Sequence, residues 1–555
     1  MTWNEQNKAH SICDVLEGTV EEWYDQVDGL LKASDFIPGN YEYSINVAYA
    51  NSGSFKEGGQ THVDISCDRF KLISLDNSYI SLDMTIPVQI PTAAAAAQNH
   101  TRSRLKYYIG FKSVFDVIDS YRIYSNSDLI QTQNHANYES YLQYMSLSDA
   151  HKENSELYAT WDKIQAMNED VPGIYINLGD LGVDAAATIN VPLHLRIPLN
   201  QFLMFANLKW FPGFFGKLTL EIYPSYKNLV VCPIISDIIV NENTAKAEKI
   251  CLPSQLAALT TDNTGSNVFG FRQINTPIVS VIDDTTQTHA KALVYSTFTC
   301  NDSTTTKCHL RLAEAVVRMD VYNQVMSRFI NQPMLFPIQT IVSMDFSGQM
   351  PNANGGVVSL AMTNALNHCN SMFIVFKKSN LDRTCFENPM INWQVNIDGK
   401  FFPREEYQTF NDPRNMNLFL DATNFNGNGL FSVPNDIYHS LQPMTMTQKW
   451  DNGENKFKET ASYPIKDRSN FAIGIPFCED DTFQAGIHTG GSVQVELRGS
   501  RSKYFPTLYA SANPTALYVE DCILKLRAVK PSGEAQIAYT HATPEQLLST
   551  AVVAN

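Results

Sequence analysis

One-for-one alternation of apolar and polar residues over long runs constrains this chain more than any other feature, because a period of two buries one face of a strand and wets the other. Tyr79–Ile90 and Leu105–Phe115 carry it, as do Val191–Leu199, Gly216–Tyr223, Leu293–Thr299 and His309–Met319. It continues through Phe336–Phe346, Met372–Phe376, Ile391–Ile397, Ser492–Leu497 and Leu517–Leu526. Strands spread this evenly predict an all-β protein. At 555 residues the chain is longer than one hydrophobic core sustains, so at least two sandwiches are expected. Charged residues make up 18% of it, below the usual quarter, while 30 Phe and 25 Tyr suit pleated sheets and broad protein–protein contact.

The first segment departs from this pattern. Between Thr2 and Ala33, Leu16, Val20, Trp23, Val27, Leu30 and Leu31 recur at helical spacing, with Glu17, Glu21, Glu22, Asp25 and Asp28 on the other face. An amphipathic helix is predicted, either folded back on its own domain or reaching a neighbouring subunit through Leu16, Val20, Trp23, Val27 and Leu30. Pro38-Gly39, Asn51–Ser54 and Gly58-Gly59 read as a strap behind it. A short helix is expected over Tyr138–Leu147, a surface loop at Ala93–Ala97 and a loose tail after about Lys530. The expected divisions are 1–60 for helix and strap, 61–227 for a first sandwich, 228–288 for a connector, 289–530 for a second sandwich with long insertions, and 531–555 for the tail.

The two halves correspond. Phe111–Val114 followed by Asp119–Asp128 parallels Phe376–Ser379 followed by Ile391–Lys400: an apolar strand ending in a basic residue, then an alternating strand ending in a polar turn. Thr188–Leu195 is matched with Gly491–Leu497, and Leu218–Ile222 with Cys522–Leu526. Repetition of this kind points to one architecture used twice.

Val191–Phe202 with Phe215–Tyr223 in the first half, and Phe373–Lys378 with Trp393–Lys400 in the second, carry a resemblance at the level of strand order from about Thr61 to Ala528. The chain resembles the major capsid proteins of tailless double-stranded-DNA viruses of the adenovirus lineage, most closely those of virophages and Polinton-like viruses. The resemblance implies two tandem jelly-roll β-sandwiches, a double jelly roll, with the helix as an N-terminal arm. It also implies a structural role without catalysis or cofactor: homotrimers forming pseudo-hexameric capsomers of an icosahedral shell around DNA, with penton and minor capsid proteins as further partners. Such a protein is made inside a host cell and ends in the virion.

Charge and motifs agree with a structural role. A net charge of −16, with no Lys/Arg-rich run, disfavours direct, sequence-specific nucleic-acid binding and docking on an anionic membrane. No apolar run is long enough for a transmembrane segment, and Met1–His10 lacks the pattern of a secretory signal. The ten cysteines show no C-x-x-C spacing, so free thiols are expected. Cys308-His309 and His368-Cys369 are adjacent pairs, whose members point to opposite faces of a strand and do not make a shared metal site. No phosphate loop, H-E-x-x-H or G-x-S-x-G occurs. The alternative is a carbohydrate-binding or carbohydrate-active sandwich, with Glu405-Glu406 or Glu479–Asp481 as acid/base candidates and Trp210-Phe211 with Phe214-Phe215 as an exposed sugar platform, or else a minor or receptor-binding virion protein. The same four aromatics also suit packing at a sandwich end.

Overall fold

The computed structural model describes most of residues 59–89, 106–146, 188–225, 334–423 and 487–528, together with separate strands around and between them, from Glu42 to Thr540. The helix expected over Thr2–Ala33, with Leu16, Val20, Trp23, Val27 and Leu30, lies outside the described residues, as do Ala93–Ala97 and Glu479–Asp481. Between the breaks expected in the strap, the chain forms two strands, Glu42–Val47 and Tyr49–Ala50.

In the first half, chain order runs β1 (Glu42–Val47), β2 (Thr61–Ile65), β3 (Lys71–Gln89), β4 (Lys106–Gly110), β5 (Ile118–Ser125), β6 (Asp128–Asn134) and α1 (Ala136–Ser146). It continues through β7 (Gly173–Asn177), β8 (Thr188–Pro198), β9 (Leu218–Pro224), β10 (Val230–Ile234) and β11 (Thr304–Val316). One antiparallel sheet is ordered β1-β11-β3-β8, and a second β2-β9-β5-β6. Counting β1, β2, β3, β5, β6, β8, β9 and β11 as strands one to eight, the orders are 1-8-3-6 and 2-7-4-5. The remaining strands, β4, β7 and β10, pair with one another and with Arg272–Gln273 in an added sheet. Each comes from a link following an odd strand of the eight: three to four, five to six, seven to eight.

The second half repeats the plan with β12 (Met334–Asp345), β13 (Val357–Ala365), β14 (Cys369–Val375), β15 (Ile391–Ile397), β16 (Lys400–Gln408), α2 (Pro413–Thr423), β17 (Ala472–Pro476), β18 (Ser492–Arg501) and β19 (Thr515–Ala528). Its sheets are ordered β12-β19-β14-β17 and β13-β18-β15-β16, again 1-8-3-6 and 2-7-4-5. A last strand, β20 (Ala535–Thr540), pairs with the far end of β19. These interleaved orders, found twice, are two jelly rolls in tandem.

Three sequence correspondences shift by this count. Thr188–Leu195 lies on the sixth strand of its roll and Gly491–Leu497 on the seventh of the other; Leu218–Ile222 lies on a seventh strand and Cys522–Leu526 on an eighth. The counterpart of β18 is β9, and that of β19 is β11, so residues 228–288 fall between the seventh and eighth strands of the first roll. Phe111 follows β4 of the added sheet, whereas Phe376 follows β14, a third strand. Alternation has the same period in every half-buried strand, so it does not reveal which strand is which. The match of Asp119–Asp128 with Ile391–Lys400 holds, as both contain a fourth strand and its turn.

Local chemistry explains the elements. β15 reads buried–partial–buried throughout, with Ile391, Trp393, Val395 and Ile397 facing inward. Asp398-Gly399 joins it to β16 as a two-residue turn with both φ angles positive, 50° and 81°, the conformation that Asp-Gly tolerates and that matches strand twist. The core of the second roll includes Phe373, Trp393, Phe419, Ile473, Leu497 and Tyr518, and extends without a break to Tyr138, Tyr141, Leu142 and Met145 of α1. The two rolls therefore share one hydrophobic cluster.

Candidate assembly surface

The functional candidate in such a molecule is a surface, and the clearest one is where the rolls meet. β12, the first strand of the second roll, is hydrogen-bonded along one side to β19 and stands at the edge of its sheet. An edge strand offers unpaired N–H and C=O groups that a fold must cover. Here β6, the fifth strand of the first roll, covers them with side chains. Gln133 Nε2 donates to the Ile341 carbonyl at 2.8 Å while the Ile341 N–H donates to Gln133 Oε1 at 3.3 Å, and Gln131 Nε2 lies 3.5 Å from the Gln339 carbonyl. Each glutamine is only 1% exposed. One primary amide supplies both a donor and an acceptor, so Gln133 replaces the neighbouring peptide that the edge lacks.

Helix α1, directly after β6, completes the joint. Tyr138 and Tyr141 pack on Phe386 of the second roll with ring centroids 5.9 and 4.9 Å apart. No residue from Ala136 to Met145 is exposed. The helix is fixed to its own roll by a buried polar lock: Tyr121 of the fourth strand donates its hydroxyl to Glu139 Oε2 at 3.0 Å and accepts from the Leu203 N–H at 3.2 Å. Complete burial pushes the Glu139 carboxyl well above the ordinary range, against the opposing pull of the Tyr121 and Leu203 hydrogen bonds.

The second roll has the same lock in other residues. Trp393, on its fourth strand and fully buried, donates its indole N–H to Asn415 Oδ1 of α2 at 2.9 Å. Helix α2 in turn lies against β17, where Phe419 Cα would be 2.7 Å from a Cβ added at Gly474, so only glycine admits the helix this closely. Beside it, Arg414 forms a fork on Asp412 with two contacts of 3.0 Å, reaches Glu405 at 3.5 Å and stacks 4.2 Å from the Tyr407 ring centroid. The Asp412 carboxyl is lowered overall: burial pushes it up, and the hydrogen bonds from Arg414 and Gln408 outweigh that.

The other candidates resolve as follows. Trp210, Phe211, Phe214 and Phe215 are all buried, Trp210–Pro212 pairs with β3, and the rings of Phe211, Phe214 and Phe215 pack together at 5.7 and 4.6 Å. The exposed sugar platform is thereby corrected: the four residues are buried, and Trp210–Pro212 extends the sheet beside β3. Glu405 and Glu406 are both exposed on β16, where neighbouring side chains point to opposite faces and do not pair as an acid and base, and Glu405 lies against Arg414. Cys308 lies on β11 with its thiol pushed up to about 12 by burial; Cys369 and Cys522 are buried thiols, and these three form no disulfide. Among the described residues no three His, Cys, Asp or Glu side chains converge as a metal set, and no helix is long and apolar enough to cross a membrane. Gln131 and Gln133 were invisible to sequence reading, since two glutamines two apart in a strand look like its wetted face.

The chain is thus a double jelly-roll protein whose rolls pack side by side through an edge strand. Among solved structures it is similar to the Sputnik virophage structure determined by cryo-EM (10% identity, 91% of this chain and 90% of that chain, TM-score 0.46). It is also similar to the mavirus major capsid protein (11%, 92% and 92%, TM-score 0.48) and the Faustovirus major capsid protein (9%, 90% and 98%, TM-score 0.38). No protein-family model matches the chain, and no curated protein sequence matches it.

Proposed function

We propose that this protein is a major capsid protein whose activity is assembly: three copies close into a pseudo-hexameric ring of six rolls, and the rings tile an icosahedral shell around DNA. The joint between the rolls carries this reading. It is lateral and head-to-tail, running from the fifth strand of one roll to the first strand of the next, and a contact of that kind repeated from roll to roll generates either a ring or a filament. Six rolls are supplied by three chains. The added sheet built from the odd-numbered links supports an outward decoration at one end of the ring. The N-terminal segment, through Leu16, Val20, Trp23, Val27 and Leu30, would dock on the inner side against another protein, and penton and minor capsid proteins would complete the lattice. A structural rather than catalytic role, and a location in the virion shell, follow from the same reading.

Light scattering across a hundredfold dilution, with electron microscopy of concentrated samples, tests it. The expected result is a homotrimer that persists on dilution and forms hexagonal arrays or particles. A well-folded monomer at every concentration overturns the proposal.

A further inference from the structure

The in-chain joint uses the first roll's fifth strand and following helix, and the second roll owns the same pair of elements. Their surroundings differ. Helix α1 has no exposed residue from Ala136 to Met145, whereas α2 exposes Pro413, Arg414, Asn417 and Asp421, three of which share one helical face at positions i, i+3 and i+7. Strand β6 has Ile130, Gln131 and Gln133 buried; β16 exposes Lys400, Phe401, Arg404, Glu405, Glu406 and Gln408 and buries only Phe402. Both helices nonetheless hang from a fourth-strand aromatic by one buried hydrogen bond, so they hold comparable places on their rolls.

Strand pairing gives the residue-level equivalence. Gln133 lies opposite Tyr121, and Tyr407 lies opposite Trp393. The position from which Gln133 reaches Ile341 is therefore occupied in the second roll by Tyr407, ordered under the Arg414 guanidinium. The element that covers β6 is a first strand at a sheet edge, and α1 beside it packs on Phe386 of the same roll. The chain has one other first strand, β1, which pairs with β11 on one side and stands at the end of its sheet.

We propose that the face made by β16 and α2, centred on Tyr407, Arg414 and Asn417, docks on β1 of a second copy of this chain. The inference rests on the assembly reading and adds the surface and its chemistry: two rolls within a chain are joined by buried neutral amides, and two chains by an arginine–tyrosine pair. Tyrosine and arginine are the residue types that concentrate binding energy at interface centres, and a guanidinium already held by Asp412 loses little freedom on docking.

The test combines mass and position. Arg414→Glu and Asn417→Lys alter exposed residues of α2, and thermal melting followed by circular dichroism reports that the second roll remains folded. Each variant is expected to raise the trimer dissociation constant at least tenfold. A photo-crosslinking phenylalanine analogue at position 417 of the full chain is expected to join two copies, with the partner peptide containing Glu42–Val47. A wild-type trimer that both substitutions leave unchanged, or crosslinks that map elsewhere, overturns this face while the assembly reading stands. A wild-type protein that never exceeds a monomer overturns both.

Discussion

Glu520→Gln is expected to remove a pH dependence built into the second roll. Glu520 lies on β19 opposite Thr340 and Cys369 and is 4% exposed. Burial pushes its carboxyl up from 4.5 to about 7, against the opposing effect of a hydrogen bond from the Asn367 backbone. Tyr518, two residues away on the same face, is also raised, by burial first and then by Cys369 and Glu520. The stacked rings of His368 and His488, 4.7 Å apart, lie on the links at this end of the roll. In the unfolded chain Glu520 releases its proton near 4.5, and in the folded chain near 7. Between those values the folded state binds the proton that the unfolded state has lost, so stability falls as pH rises through the window and is level on either side. From 4.5 to about 7, at about 1.4 kcal/mol for each tenfold, the loss is about 3 kcal/mol. Glutamine is neutral throughout and keeps an oxygen for the Asn367 N–H. The variant should therefore match the wild type near pH 4.5 and exceed it above pH 7.5, by roughly 2–4 °C in melting temperature for each kcal/mol in a domain of this size. Melting curves of both proteins, followed by tryptophan fluorescence from pH 4.5 to 8, give the difference, in which histidines common to both cancel. Parallel curves across that range would refute the reasoning.

Two further substitutions probe the second roll. Asn415→Ala removes the acceptor 2.9 Å from the Trp393 indole N–H inside the core, with an expected loss of about 1–3 kcal/mol in urea unfolding. Gly499→Ala places a methyl group 1.9 Å from the Asn392 carbonyl oxygen at a φ of +151°, forcing β18 away from β15; the expected outcome is loss of the cooperative melting transition, checked by circular dichroism and soluble yield.

Much of the architecture was legible in sequence because sheets write their burial into a period of two. Phe336–Phe346, Ile391–Ile397 and Ser492–Leu497 each fall on strands, and the helix expected over Tyr138–Leu147 is α1, at Ala136–Ser146. Leu105–Phe115 was legible in part: Lys106–Gly110 is a strand, but Val114–Val117 turns as a 3-10 helix under a Ser113 cap with Asp116. Strand identity was not legible, for Thr188–Pro198 and Leu218–Pro224 differ in partner and not in pattern. The joint between the rolls was hidden for a related reason. A glutamine facing water and one facing another roll's edge are the same letter, and only the approach of β12 distinguishes Gln131 and Gln133 from Thr132 between them, which is exposed.

The two polar locks, a phenol on a carboxylic acid in one roll and an indole on an amide in the other, bear on how a duplicated chain avoids confusing its halves. Tandem domains of like topology risk trading elements during folding, since the helix of one can settle on the sheet of the other. Placed on the wrong roll, each helix would present an acceptor at the wrong reach: the Glu139 carboxyl stands one methylene further from its backbone than the Asn415 amide, and the Tyr121 hydroxyl and the Trp393 N–H lie at different points of their rings. Divergence at four positions thus works as an address label, returning each helix to the half that encoded it.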